Sequence, residues 1–125
     1  MDLKKMTGEV VDAAMKVHSA LGPGLLEKAY QVCLLHELRK RGLRVKPEVS
    51  LPVIYDGIRI DAGFKIDLLV EDAVVVELKA VSKLLPVHEA QLLSYLKLSG
   101  FRIGLLVNFH VIHLKNGITR MVNRL

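Results

Sequence analysis

Cysteine, tryptophan and long apolar runs are what this sequence has least of, and each shortage excludes something. A single cysteine, Cys33, cannot close an internal disulfide, so the expected compartment is reducing and cytoplasmic. Its neighbours Val32, Leu34 and Leu35 predict a buried thiol. Tryptophan is absent and aromatics make up 5%, which leaves few flat side chains for stacking the bases of a single strand. No apolar run approaches the roughly 18 residues that a membrane span needs. The start, MDLKKMTGEVVD, has two lysines but no apolar stretch behind them, so neither a secretory leader nor a membrane partner is expected. Repeats, low-complexity segments and linkers are also missing, and residues 1–125 read as one domain.

What is present suits a folded chain. Its 125 residues are 51% apolar and 25% charged, enough for one domain with a core. The formal charge of +5 suits a polyanionic partner without approaching that of a histone. A mean hydropathy of +0.34 is high for so small a chain. Apolar surface buried between subunits would explain it, so a homodimer or a larger complex is expected.

Periodicity places the elements. Val10, Val11, Ala14, Val17, His18 and Leu21 recur at helical spacing and predict a helix over 7–21, capped by Thr7 and stopped by Gly22-Pro23-Gly24. A second helix is expected over 25–41, with Gly42 at its C-cap and Arg39, Lys40 and Arg41 in the last turn. Segments 45–55, 58–70 and 74–81 read as strands, the first two joined at Asp56-Gly57. Pro47 and Pro52 put the first of them at a sheet edge. A third helix over 87–99 follows Pro86, and 101–109 and 111–122 read as two more strands. The order αα-βββ-α-ββ is that of an α/β sheet with helices packed against it.

The most informative stretch is Phe64-Lys65-Ile66-Asp67-Leu68-Leu69-Val70, followed by Val74-Val75-Val76-Glu77-Leu78-Lys79. Strand alternation puts Val75, Glu77 and Lys79 on one face. Charges in so apolar a strand cost free energy unless they are paired, solvated or bound to a metal. Asp67 stands opposite Glu77 only if the hairpin is symmetric about Asp72, through an odd loop Glu71-Asp72-Ala73 or an even loop with a bulge. A two-residue turn would send the two carboxylates to opposite faces. The odd registry is expected, with Asp67, Glu77 and Lys79 converging where a divalent cation relieves the repulsion. An isolated E-x-K is usually a solvent-facing ion pair; Asp67 upstream and the apolar surroundings favour a site.

Asp67 with Glu77-Leu78-Lys79 resembles the signature of PD-(D/E)xK nucleases, with Ile66 where the superfamily name has proline. Gly24-Leu25-Leu26-Glu27-Lys28-Ala29-Tyr30 is similar to the motif that names the GxxExxY proteins of that superfamily. The likeness runs from about His18 to Val122 and takes in Gln91-Leu92-Leu93-Ser94-Tyr95 and Leu105-Leu106-Val107-Asn108-Phe109. It implies a restriction-endonuclease-like core, a central mixed β-sheet flanked by helices. It also implies a metal ligand at Glu27, which taken alone would be a first-turn acid favoured by the helix dipole. Gln91 and Tyr95 share a helix face and match a Q-x-x-x-Y element that contacts DNA or orients the metal shell. The alternative packs Tyr95 in the core and leaves Gln91 merely exposed. Tyr30, on the face of Glu27, joins the candidate substrate contacts. His88 is an exposed histidine near a helix start, with a phosphate contact as the second reading.

Asp67, Glu77, the Leu78 carbonyl and Glu27 together offer hard oxygen ligands suited to Mg²⁺ or Mn²⁺. Lys79 would then orient or deprotonate the attacking water, or neutralise charge developing on the phosphate. The resemblance implies products with 5′-phosphate and 3′-hydroxyl ends. The expected function is a metal-dependent nuclease acting on DNA; the alternative is a binding module, or a subunit of a complex, that keeps only the fold. Arg39, Lys40, Arg41, Arg44 and Lys46 either grip phosphates or form a solvated helix end.

Overall fold

Asp2, not Thr7, starts the first helix: its Oδ1 accepts from the Lys5 N–H at 2.7 Å. In the computed structural model, which describes residues 1–123, helix α1 runs Leu3–Leu21. Thr7 lies a turn inside it, buried, with its hydroxyl donating to the Lys4 carbonyl. Its own helix therefore satisfies the hydroxyl that sequence spacing assigned to a cap. Helix α2 spans Glu27–Lys40 and is followed by Gly42 at φ +85, the left-handed position that ends many helices.

The sheet has five strands in the order β1-β2-β3-β4-β5: Val45–Tyr55, Ile58–Val70, Val74–Lys79, Ile103–Asn108 and Ile118–Val122. Only β3 and β4 are parallel, and helix α3, Pro86–Ser99, makes the crossover between them. The order αα-βββ-α-ββ and the mixed sheet are as expected, with β1 at an edge. One segment differs. Residues 111–117 are not strand but bends and a 3₁₀ turn, Leu114–Gly117. A β-carbon on Gly117 would collide with the Asn108 carbonyl, so the chain can fold back here only on glycine.

Two apolar layers enclose the sheet. Val10, Ala14, Leu34 and Leu38 of α1 and α2 pack on Leu68, Val76, Leu78 and Leu105. On the other face, Leu92 and Leu96 of α3 pack on Ile66, Leu69, Val75 and Leu106. Cys33 is half-buried, not buried, in an apolar groove between α1 and α2. Strand β3 meets β2 only over Leu68–Val70, so the rest of the β1–β2 hairpin is a two-stranded ribbon with Ile54, Tyr55 and Ile58 exposed at its tip.

Candidate active site

The β2–β3 pairing is symmetric about Asp72: Val70 pairs with Val74, Leu69 with Val75 and Leu68 with Val76. The loop is the odd one, Glu71-Asp72-Ala73, with Glu71 and Asp72 at φ +53 and +50. Distant residues hold this turn. The Glu71 carboxylate accepts from the Arg44 N–H at 2.6 Å and from its guanidinium, and Lys46 pairs with Asp72 at 2.9 Å.

One residue further on, the ladder opens at the point where the sequence places Asp67 opposite Glu77. Side chains take over the backbone pairing there. The Asp67 N–H donates to Glu77 Oε1 at 3.0 Å, and the Leu78 N–H donates to Asp67 Oδ2 at 2.8 Å. Strand β2 changes face at the same place: Phe64 and Ile66 pack towards α3, whereas Leu68 and Val70 pack towards α1 and α2. On β1 the residue opposite Asp67 is Glu48, at φ +50, and this step is skipped between the Pro47–Leu68 and Val49–Ile66 pairs. The opening is thus a local break in the sheet lined by carboxylates.

Electrostatics confirm the proximity of these groups. Burial and the neighbouring Asp67 charge push the Glu77 carboxyl up to about 8, and Glu77 is 5% exposed. Asp67 is also raised, first by burial, while the Leu78 N–H and the Lys79 ammonium pull the other way. Two adjacent carboxylates in a dry setting hold a proton between them unless a cation takes its place. Glu27, half-buried at the start of α2, is raised by burial and then by Asp67, and lowered by Lys79. Lys79 therefore acts on Glu27, Asp67 and Glu77 alike, yet makes no ion pair or side-chain hydrogen bond among the described residues. The four residues proposed from sequence are brought together.

The flanking residues fare differently. Tyr95 is half-buried, stacks on Phe64 with centroids 4.0 Å apart, and is raised by burial and by the charges of Glu77 and Asp67. It reaches the site. Gln91 is exposed and lines a shallow depression with Val87, His88, Ala90 and Ser94, to which no site carboxylate contributes. His88 serves the helix instead, because its Nδ1 accepts from the Leu85 N–H at 2.9 Å and caps α3. Tyr30 is not a substrate contact. It is fully buried, stacked on Phe109 at 4.3 Å, with its hydroxyl donating to the Gly22 carbonyl and accepting from the Leu25 N–H.

The basic cluster is spent on folding. Arg41 pairs with Glu9, Asp12 and Glu37, Arg44 with Glu71 and Lys46 with Asp72, while Arg39 donates to the Val45 carbonyl. Of the five, Lys40 alone has no such partner among the described residues.

Sequence reasoning missed Gln31, Glu48 and Asn108. Gln31 is 6% exposed and donates to the Asp67 carbonyl at 3.2 Å. Its signal was an amide one helical turn after Glu27, between the buried Tyr30 and Leu34. Asn108, 2% exposed and level with Lys79 in the β3–β4 register, accepts from the Val81 N–H and donates to the Val81 carbonyl. It clasps the chain just as β3 ends at Lys79.

A mixed sheet between helices, opened at an Asp and a Glu-x-Lys, defines a nuclease-type core. The family model for the PD-(D/E)XK nuclease superfamily matches residues 4–121, and the chain belongs to that superfamily. Neither a curated protein nor a solved structure matches the chain. The superfamily implies a nucleic-acid substrate, and its members generally use divalent metals. No three His, Cys, Asp or Glu side chains among the described residues form a ready-made metal cage. No helix among them is long and apolar enough to cross a membrane.

Proposed function

We propose that the protein hydrolyses phosphodiester bonds in DNA at the Asp67–Glu77–Lys79 centre, with Mg²⁺ or Mn²⁺ as cofactor. The observation that carries this reading is the crossed pair of hydrogen bonds at the sheet opening. It holds the buried Glu77 and the half-buried Asp67 carboxylates side by side, with the Lys79 ammonium, which has no ion-pair partner among the described residues, beside them. The donor chemistry fits a hard divalent cation, since Asp67 and Glu77 need a positive partner in place of their shared proton. Asp67, Glu77, the Leu78 carbonyl and Glu27 are the residues that would hold it. When bound, such a cation polarises a phosphate oxygen and acidifies water.

The chain's own groups do the rest. Lys79 donates to a non-bridging phosphate oxygen and offsets the charge that builds as water attacks phosphorus and the P–O3′ bond breaks. The products carry a 5′-phosphate and a 3′-hydroxyl. The Asn108 clasp fixes the strand end that carries Lys79. Tyr95 on α3, and Gln91 one turn before it, are the side chains proposed to meet the substrate. The Gly24-to-Tyr30 motif supports a place among the GxxExxY proteins, and a cytoplasmic single-domain chain fits the reading.

The test is cleavage of labelled single-stranded, duplex and branched DNA, and of RNA, with Mg²⁺, Mn²⁺ or chelator. Metal-dependent cleavage by wild type that disappears in Lys79→Ala supports the reading. Cleavage by Asp67→Asn at the wild-type rate with Mg²⁺ would overturn it. Light scattering on the same sample reports whether two copies associate.

A further inference from the structure

Asp67 sits where regular strand pairing is interrupted. On the β1 side its register partner, Glu48, is unpaired, and on the β3 side the ladder ends at Leu68–Val76. Its N–H is taken up by Glu77. Gln31 of α2 reaches across and donates to the Asp67 carbonyl at 3.2 Å. One face of α2 touches the same spot twice more. Lys28 pairs with Glu48 at 2.7 Å, and the Gln31 amide lies beside the Glu48 carboxylate. Glu48 holds a left-handed conformation, at φ +50, that a non-glycine residue adopts only at a cost. Such strain persists only where the surroundings enforce it.

We propose that Gln31 and the Lys28–Glu48 pair form a brace that positions Asp67, locking its peptide so that the carboxylate stays on the Leu78 N–H at the sheet opening. The proposal rests on the reading of Asp67 as a site carboxylate. A residue whose N–H has left the ladder for a side chain is held less firmly by the sheet, and a rotation that moves its peptide also swings the side chain. An error of about 1 Å in a reacting constellation costs on the order of 10²-fold in rate. An apolar side chain at position 31 would remove the donor that α2 supplies to the Asp67 carbonyl. Gln31 thus does not touch the reacting atoms; it acts through Asp67.

The test uses the metal-free full chain first. Amide hydrogen exchange is followed at Leu78, whose N–H reports the Asp67 carboxylate, and at Val75 and Val76 as internal references. In Gln31→Met, which keeps length but removes the donor, Leu78 exchange should quicken at least tenfold while the references hold. Glu48→Gly relieves the left-handed strain, so it should melt no lower than wild type, yet it too should quicken Leu78 exchange. Unchanged Leu78 protection in both variants overturns the brace; if Gln31→Met does not fold, Glu48→Gly alone decides. In cleavage assays, both variants should lower kcat by 10- to 100-fold with KM within twofold. A loss confined to KM would overturn a positioning role. If wild type does not cleave under any metal, the proposed function fails while hydrogen exchange still decides the brace.

Discussion

Burying Glu77 beside Asp67 makes its proton a stability element. Its folded value of about 8 lies above the ordinary 4.5, so the folded state binds the proton more tightly than the unfolded state does. The stabilisation is complete below about 4.5 and is lost as pH rises through about 8. Glu77→Gln, neutral at every pH, should therefore raise the metal-free melting temperature by several degrees at pH 8, with the gain vanishing towards pH 4.5. Equal melting of the two proteins at pH 8 would show that the pair carries no such proton. A cation must displace the same proton, so Mn²⁺ affinity measured by calorimetry should rise about tenfold per pH unit below pH 8. Lys79→Ala should lower kcat by about 10²- to 10³-fold and leave Mn²⁺ binding in place. Asp67→Asn should remove both.

At the level of the elements, turns and strand ends decide where those residues stand. The β2–β3 loop keeps two non-glycine residues left-handed, and Arg44, just before β1, and Lys46 of β1 hold it. A double Arg44→Ala, Lys46→Ala variant should lower the melting temperature slightly. It should leave the salt dependence of DNA binding unchanged, whereas a slope reduced by about 2 would return these cations to the nucleic-acid surface. Tyr30→Phe removes the hydroxyl that ties Gly22 and Leu25, and should cost roughly 1–3 kcal/mol in chemical denaturation. Its KM should stay within twofold of wild type, because the ring never meets solvent. A large KM rise with unchanged stability would reinstate Tyr30 as a substrate contact.

Across the entire protein, the charge that faces a polyanion is smaller than the formal +5 implies, and differently placed. The charges of Arg41, Arg44 and Lys46 are paired with Glu9, Asp12, Glu37, Glu71 and Asp72. Lys65 and Lys79, in contrast, have no ion-pair partner among the described residues and lie on the strands that carry Asp67 and Glu77. Part of the substrate attraction should therefore fall at the β2–β3 opening. Lys65→Ala should weaken DNA binding and reduce the salt slope by about 1. A slope equal to that of wild type would place the contact elsewhere.

The elements and their order were legible in the sequence, because hydrophobic period and turn chemistry act over a few residues. Asp56-Gly57 marked one hairpin, and alternation along 74–79 marked the face of Glu77 and Lys79. Residue spacing also reduced the registry to two options and, with the family motif, named Glu27, Asp67, Glu77 and Lys79. What each polar group meets was settled in three dimensions. Thr7 and Asp2 were both chemically able to cap a helix, and the helix start selected Asp2. Tyr30 shares a helix with Glu27, yet one ring turns into the core while the carboxylate turns to the opening. Arg44, Lys46, Gln31 and Glu48 find partners 20 to 36 positions away along the chain. No local pattern encodes such pairings, which packing sets by bringing α2, β1 and the β2–β3 turn against one another.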